Sequence, residues 1–245
     1  NLVHRILDAL GRNPAVWRRT ALFLLYDEND GYFDHVPPPR PPRARSDEWV
    51  GDLPLGLGDR VPMTIVSPWT VGGYAASETF DHTSTLRFLE RWLGISVPAI
   101  SDWRRTVCGD LTSAFDFRTP RAIPRRTQPR AVGELSPRWK PHAPAVGRRP
   151  GQEPGERPAR PVPYVPVATA SPGPDGVRLR LSNTGTRSAH FIVFPYHAPD
   201  SVPLHADVLG ERELVVPAPG GRYDLLVLGP AGEHWEFVSD PSAAG

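Results

Sequence analysis

Proline most constrains how this chain can fold. The sequence has 31 prolines among 245 residues, and they are concentrated between positions 118 and 174. Proline removes a backbone donor and interrupts helices and central strands, so a proline-rich stretch cannot continue a regular element. Residues 118–160 are also rich in arginine and show no apolar periodicity. We therefore expect an extended, mobile linker over 118–160, between folded regions at 1–117 and 161–245.

Helix and strand patterns alternate before this linker. Residues 1–20 predict a helix whose apolar residues share one face. The short apolar runs Ala21–Tyr26 and Val61–Val66 predict buried strands, separated by a long proline-containing loop over 37–60. Helical spacing returns over Thr83–Leu93, whose first two residues are candidate caps. This order predicts an α/β region.

After the linker, the pattern changes to short strands with turn residues between them. The predicted strands are Val177–Leu181, Ala189–Phe194, Glu213–Val216, Tyr223–Leu228 and Trp235–Val238. Several short strands of this kind are typical of a small all-β antiparallel sandwich.

Acidic residues directly follow the first predicted strand. Asp27 and Glu28 stand where the strand would end, and Asp34 and His35 come shortly after them. Open α/β sheets bind ligands beyond the carboxyl ends of their strands. Neighbouring carboxylates stay ionised together when a cation compensates them, and a hard metal ion is the usual one. Because turns are also rich in acids and glycine, a solvated acidic turn explains the same residues equally well.

Charge and composition exclude several classes of protein. The net charge of +1 gives no electrostatic reason to expect a nucleic acid partner. The single cysteine, Cys108, rules out an internal disulfide, and we assign it no role. No apolar run in the sequence reaches the length of a membrane span.

Several blocks of the sequence resemble one known family. They are YDENDGYFDHVPPP at Tyr26–Pro39, Gly58–Trp69, Phe80–Glu90 and Asp110–Phe117. In these blocks the chain resembles the bacterial phosphoesterase family, which contains secreted phospholipases C and related acid phosphatases. The phosphocholine-preferring phospholipases C are the most similar. The segments Val177–His197 and Gly220–Asp240 also resemble the C-terminal β-domain of bacterial phospholipases C.

The resemblance implies a fold and a reaction. Residues 1–117 would be the C-terminal portion of an alkaline-phosphatase-like catalytic domain, and residues 161–245 one β-domain. In this family a metal-assisted nucleophile attacks phosphorus, and the covalent phospho-enzyme is then hydrolysed. The implied partners are a phospholipid substrate and, transiently, a membrane surface. The implied location is secreted or at the cell envelope, by a twin-arginine signal on a segment outside this chain.

The resemblance also assigns candidate site residues. Asp27 and Glu28 align with the acidic pair that ligates metal, and their oxygen ligands favour Ca²⁺ over Zn²⁺. His82, just before the second helix, would be a metal ligand or phosphate contact. His35 would be catalytic or would brace its loop, and a purely structural role is open for both histidines. Asp30 stands where relatives often have glycine, so we leave it out of the site.

The chain departs from the family pattern in one important respect. The family carries its first metal ligands and its Ser or Thr nucleophile earlier in the catalytic domain, and no segment of this chain matches those blocks. We therefore expect a fragment of a phospholipase C that is inactive alone. One alternative is an acid-phosphatase-like phosphomonoesterase, whose relatives generally lack the β-domain. The other is a non-catalytic module that binds lipid or carbohydrate.

Overall fold

The computed structural model describes residues 2–32, 34–124 and 154–239. Most of the predicted linker therefore lies outside the described residues. The chain forms two compact units, one from residues 1–24, 64–75 and 116–158 and the other from 25–63, 76–115 and 159–245, as far as they are described. The predicted division at residues 117 and 160 stays a prediction.

Helices and antiparallel sheets together make up the described structure. The helices are α1 (Leu2–Arg12), α2 (Pro14–Trp17), α3 (Thr83–Leu93) and α4 (Asp102–Val107), with short 3-10 helices at Ser46–Glu48, Thr112–Ala114 and Pro219–Gly221. The strands are β1 (Leu22–Leu25), β2 (Trp49–Val50), β3 (Leu53–Pro54), β4 (Met63–Val66), β5 (Pro166–Gly173), β6 (Gly176–Asn183), β7 (Ala189–Pro195), β8 (Leu204–Val208), β9 (Gly210–Val216), β10 (Asp224–Leu228) and β11 (His234–Val238). Among the described residues, no helix combines the length and apolarity needed to cross a membrane.

The two strands predicted in the first region form, but they are not buried. β1 pairs with β4 in a two-stranded sheet. All four residues of β1 are partly exposed, and Thr64 in β4 is exposed. The two strands were predicted correctly, but their burial was not. In a sheet of only two strands, each strand has an unpaired edge, and its side chains stay accessible from that side. The predicted helix over 1–20 divides into α1 and α2, since Asn13 caps a new helix at Pro14.

Helix α3 spans the predicted residues, but its cap differs from the prediction. The carboxylate of Asp81 accepts hydrogen bonds from the Ser84 backbone N–H (3.1 Å) and from the Thr83 hydroxyl (2.7 Å). Asp81 therefore satisfies the start of the helix, and Thr83 and Ser84 do not. The long loop over 37–60 contains the antiparallel hairpin of β2 and β3.

The C-terminal region is an antiparallel two-sheet sandwich, as predicted. One sheet has the order β5-β6-β9 and the other the order β11-β10-β7-β8. Apolar residues from both sheets, including Leu179, Phe191 and Leu225, form one buried cluster. The five predicted strands are confirmed within a few residues of their bounds, whereas β5 and β8 were missed. β5 contains Pro166 and Pro172, which weakens a strand pattern and is tolerated here because β5 is an edge strand.

Candidate metal and phosphate site

A tight turn after β1 carries the predicted acidic residues. The backbone of Asp30 has φ +53° and that of Gly31 has φ +74°, so both lie in the left-handed region. Within the turn, the Asn29 side chain donates to the backbone oxygen of Tyr32 (2.6 Å). Glycine adopts positive φ without strain and aspartate tolerates it, which explains why position 30 suits either residue.

The second motif block holds this turn in place. Asn29 donates from Nδ2 to Oδ2 of Asp59 (3.1 Å). Arg60 binds the Asp34 carboxylate in a bidentate pair, with Nε to Oδ2 at 2.5 Å and Nη2 to Oδ1 at 2.8 Å. These hydrogen bonds from Arg60 hold the pKa of Asp34 well below its usual range, although burial opposes the shift. The bond to Asp34 likewise raises the pKa of Arg60. Asp34 is therefore a charged anchor of the loop.

The third motif block reaches the same turn through His82. Its Nε2 lies 2.9 Å from the backbone oxygen of Asp27. A carbonyl oxygen only accepts, so Nε2 carries the hydrogen and donates it. In the neutral ring this leaves the lone pair on Nδ1, which has no hydrogen-bond partner among the described residues. The structure thus brings His82 to the main chain of the predicted metal-ligand pair.

The carboxylates of Asp27 and Glu28 are exposed. Neither makes a side-chain hydrogen bond or ion pair within the described part of the chain, and no group of three His, Cys, Asp or Glu residues there could hold a metal ion. Oxygen-ligated cations take six or more ligands, so these two carboxylates supply only part of such a set. Their chemistry fits a hard cation, but the described residues do not complete its site.

His35 is not brought into contact with the other candidates. Its Nδ1 lies 3.3 Å from Oδ1 of Asp34, and its side chain is 83% exposed. Among the described residues it has no recorded hydrogen bond to Asp27, Glu28 or His82. The catalytic and the loop-bracing roles of His35 both stay predictions.

A largely buried arginine, Arg104, binds the residue directly before His82, and no sequence pattern indicated this contact. Arg104 on α4 donates from Nε to Glu48 Oε1 (2.8 Å), from Nη2 to Glu48 Oε2 (3.1 Å) and from Nη1 to Asp81 Oδ2 (2.7 Å). Its Nη2 also donates to the backbone oxygen of Gly56 (2.7 Å). Burial opposes the charge on Arg104, but the bonds to Glu48 and Asp81 outweigh it and raise its pKa. The cluster fixes Asp81, the residue directly before His82. Asp59 and Arg60, in contrast, lie inside the Gly58–Trp69 motif block, so the sequence could have indicated that they contact the site.

Comparison with known proteins agrees with these motif blocks. Residues 1–96 match the phosphoesterase family, and residues 158–239 match the bacterial phospholipase C, C-terminal domain. Non-hemolytic phospholipase C of Pseudomonas aeruginosa is 42% identical over 258 residues, which cover 93% of this chain and 37% of that protein. Non-hemolytic phospholipase C of Burkholderia pseudomallei is 37% identical over 278 residues, with 99% and 39% covered.

Hemolytic phospholipase C of Pseudomonas aeruginosa is 37% identical over 287 residues, covering 96% of this chain and 39% of that protein. The chain thus spans less than two fifths of the length of these curated relatives. The resemblance found in the sequence is confirmed. Residues 1–96 are thus similar to the phosphoesterase family, and residues 158–239 are similar to the C-terminal domain of bacterial phospholipases C.

Proposed function

We propose that this chain is the C-terminal part of a phospholipase C that hydrolyses the phosphodiester bond of a phosphatidylcholine-like phospholipid. The observation that carries the proposal is the convergence of three motif blocks on one turn. Asp59 and Arg60 bind the turn at Asn29 and Asp34, and His82 binds it at Asp27. Three relatives that match 93% or more of this chain are named phospholipase C.

Asp27, Glu28 and His82 each have a role in this proposal. Asp27 and Glu28 would supply two oxygen ligands to a divalent cation, with Ca²⁺ favoured, and segments outside this chain would supply the remaining ligands and the nucleophile. Such a cation, when bound, neutralises charge on the phosphoryl oxygens. His82 holds the backbone of Asp27 and so orients its carboxylate. It directly precedes α3, whose first N–H groups form a partly positive helix end.

The remaining features of the proposal follow from the family. The catalytic part has an alkaline-phosphatase-like fold, and His35 braces the loop or assists proton transfer at its edge. The protein acts on membrane lipid outside the cytoplasm or at the cell envelope, and the isolated chain is inactive. The C-terminal domain supports diester over monoester hydrolysis, because related acid phosphatases generally lack it.

A chimera tests the proposal directly. This chain would replace the matching 37% of the Pseudomonas aeruginosa non-hemolytic enzyme, and hydrolysis of phosphatidylcholine and of a phosphomonoester would be measured. We expect diester activity in the chimera. Asp27→Asn and Glu28→Gln should lower kcat/KM by about 100-fold or more, since each removes a charged ligand.

The control is Asp175→Asn, which changes an exposed acid in the turn between β5 and β6. It should leave kcat/KM unchanged. A folded chimera that hydrolyses only the monoester would overturn the phospholipase assignment. Full activity in Asp27→Asn and Glu28→Gln would overturn the assignment of these two residues as ligands.

A further inference from the structure

A buried polar network lies on the face of β7 and β8 that points away from the sandwich core. His190 on β7 is directly opposite Asp207 on β8, and its Nδ1 lies 2.6 Å from Asp207 Oδ1. The other nitrogen of His190, Nε2, lies 2.9 Å from Nδ1 of His205. Asp207 Oδ2 accepts from the indole N–H of Trp103 on α4 (2.9 Å). His190 is only 4% exposed and Trp103 2%.

Only one hydrogen can lie between the facing nitrogens of the two histidines. At 2.9 Å, the facing nitrogens His190 Nε2 and His205 Nδ1 share a single hydrogen, because one must donate and the other accept. A doubly protonated pair carries a hydrogen on each facing nitrogen, and the two cations then repel one another. Their ring centroids are only 5.2 Å apart. The network therefore requires that one of the two rings be neutral.

The surroundings of His205 also favour its neutral form. Burial, then the charges of His190 and of Arg40 from the 37–60 loop, lower the pKa of His205 to about 4. The Asp207 carboxylate opposes this shift but does not reverse it. Protonation of His205 is thus disfavoured while the network is formed.

We propose that His190, His205 and Asp207 form an acid-sensitive latch that holds β8 on α4 through Trp103 and opens when His205 takes up a proton. The latch does not depend on the proposed function. Arg187, just before β7, also pairs with Glu78, before α3, at 3.1 Å, and this contact involves neither α4 nor β8. The opening is therefore local to α4 and β8.

The direction and size of the pH effect follow from linkage. His205 released from the latch has its ordinary pKa of 6.5, above its value of about 4 in the latched state. Between these two values the open state binds more protons, so the latch weakens as the pH falls from about 6.5 towards about 4. Between pH 7.5 and pH 5.0 the ratio of open to latched protein should rise about 30-fold.

Nuclear magnetic resonance of this chain tests the latch. The indole ¹H–¹⁵N signal of Trp103, assigned with Trp103→Phe, and the histidine ring signals would be followed from pH 7.5 to pH 4.5. We expect the Trp103 signal to move towards that of a free indole over the range in which His205 titrates. In His205→Asn, the amide takes the place of Nδ1 and does not titrate, so this transition should disappear.

The matched control is His234→Gln, which removes an exposed histidine on β11 and should leave the transition unchanged. A Trp103 signal that stays constant while His205 titrates would overturn the proposal. So would an unchanged transition in His205→Asn. Loss of all dispersed signals at the same pH would also overturn it, because acid would then unfold the chain as a whole.

Discussion

Arg104 provides the most direct test of what holds the candidate site together. Its side chain is 21% exposed and neutralises two carboxylates, Glu48 and Asp81, whose side chains are 3% and 8% exposed. Arg104→Met keeps much of the volume but removes the positive charge and every hydrogen bond that the guanidinium donates. Breaking a buried ion pair by removing one partner costs about 3–5 kcal/mol, because the other charge stays buried without compensation. We expect the free energy of unfolding to fall by about that amount.

Urea denaturation followed by circular dichroism and tryptophan fluorescence would measure the change. The matched control is Arg180→Met, which breaks an ion pair with Glu211 (2.6 Å) whose side chains are 61% and 59% exposed. Solvent screens that pair, so its loss should change the free energy of unfolding only slightly. A similar, small loss in both variants would refute the view that the Arg104 cluster fixes the start of α3.

Three further predictions concern single positions. Gly185→Ala should lower the free energy of unfolding by about 1–3 kcal/mol, because the added Cβ would meet a backbone carbonyl oxygen. The control is Gly58→Ala, where the added Cβ has open space and the free energy of unfolding should hardly change. Urea denaturation of the two variants measures the difference. Burial raises the pKa of the Cys108 thiol, so a thiol reagent at pH 8 should modify it only after unfolding; rapid modification of the folded protein would contradict this. Hydrogen bonds from Arg105 lower the pKa of Glu90 to about 2. The pair therefore stabilises the fold above pH 4.5, and this contribution is lost as the pH falls towards 2. In Arg105→Met, carboxyl ¹³C titration should show the pKa of Glu90 rising towards 4.5.

The sequence correctly predicted the structural elements that depend on residues close together in the chain. Helix α3 and five strands of the sandwich follow from apolar spacing and turn residues, which act over a few positions. The turn at Asp30 and Gly31 likewise follows from local preference. The cap of α3 was mistaken because Asp81, Thr83 and Ser84 are all good capping residues, and only the backbone geometry decides between them.

Burial was predicted less well, because it depends on what covers each face. Leu86 and Trp92 have helical apolar spacing in α3, yet they are 41% and 70% exposed in this chain. Phe88 instead stacks on Phe115, with ring centroids 5.2 Å apart. Apolar spacing identifies a face that favours burial, but not the element that buries it.

His190 shows the opposite case, and the helix that covers it explains why the Arg104 cluster and the histidine network were not predicted. Alternation along β7 places Ala189 and Phe191 in the core and His190 on the outer face, where sequence alone predicts solvent. The outer face is covered by Trp103, which bonds to Asp207 from 104 positions away in the chain. The next residue, Arg104, reaches Asp81 and so supports His82. One short helix therefore presents one side chain to the sandwich and the next to the candidate site. Its six residues carry no periodic signal long enough to reveal either contact.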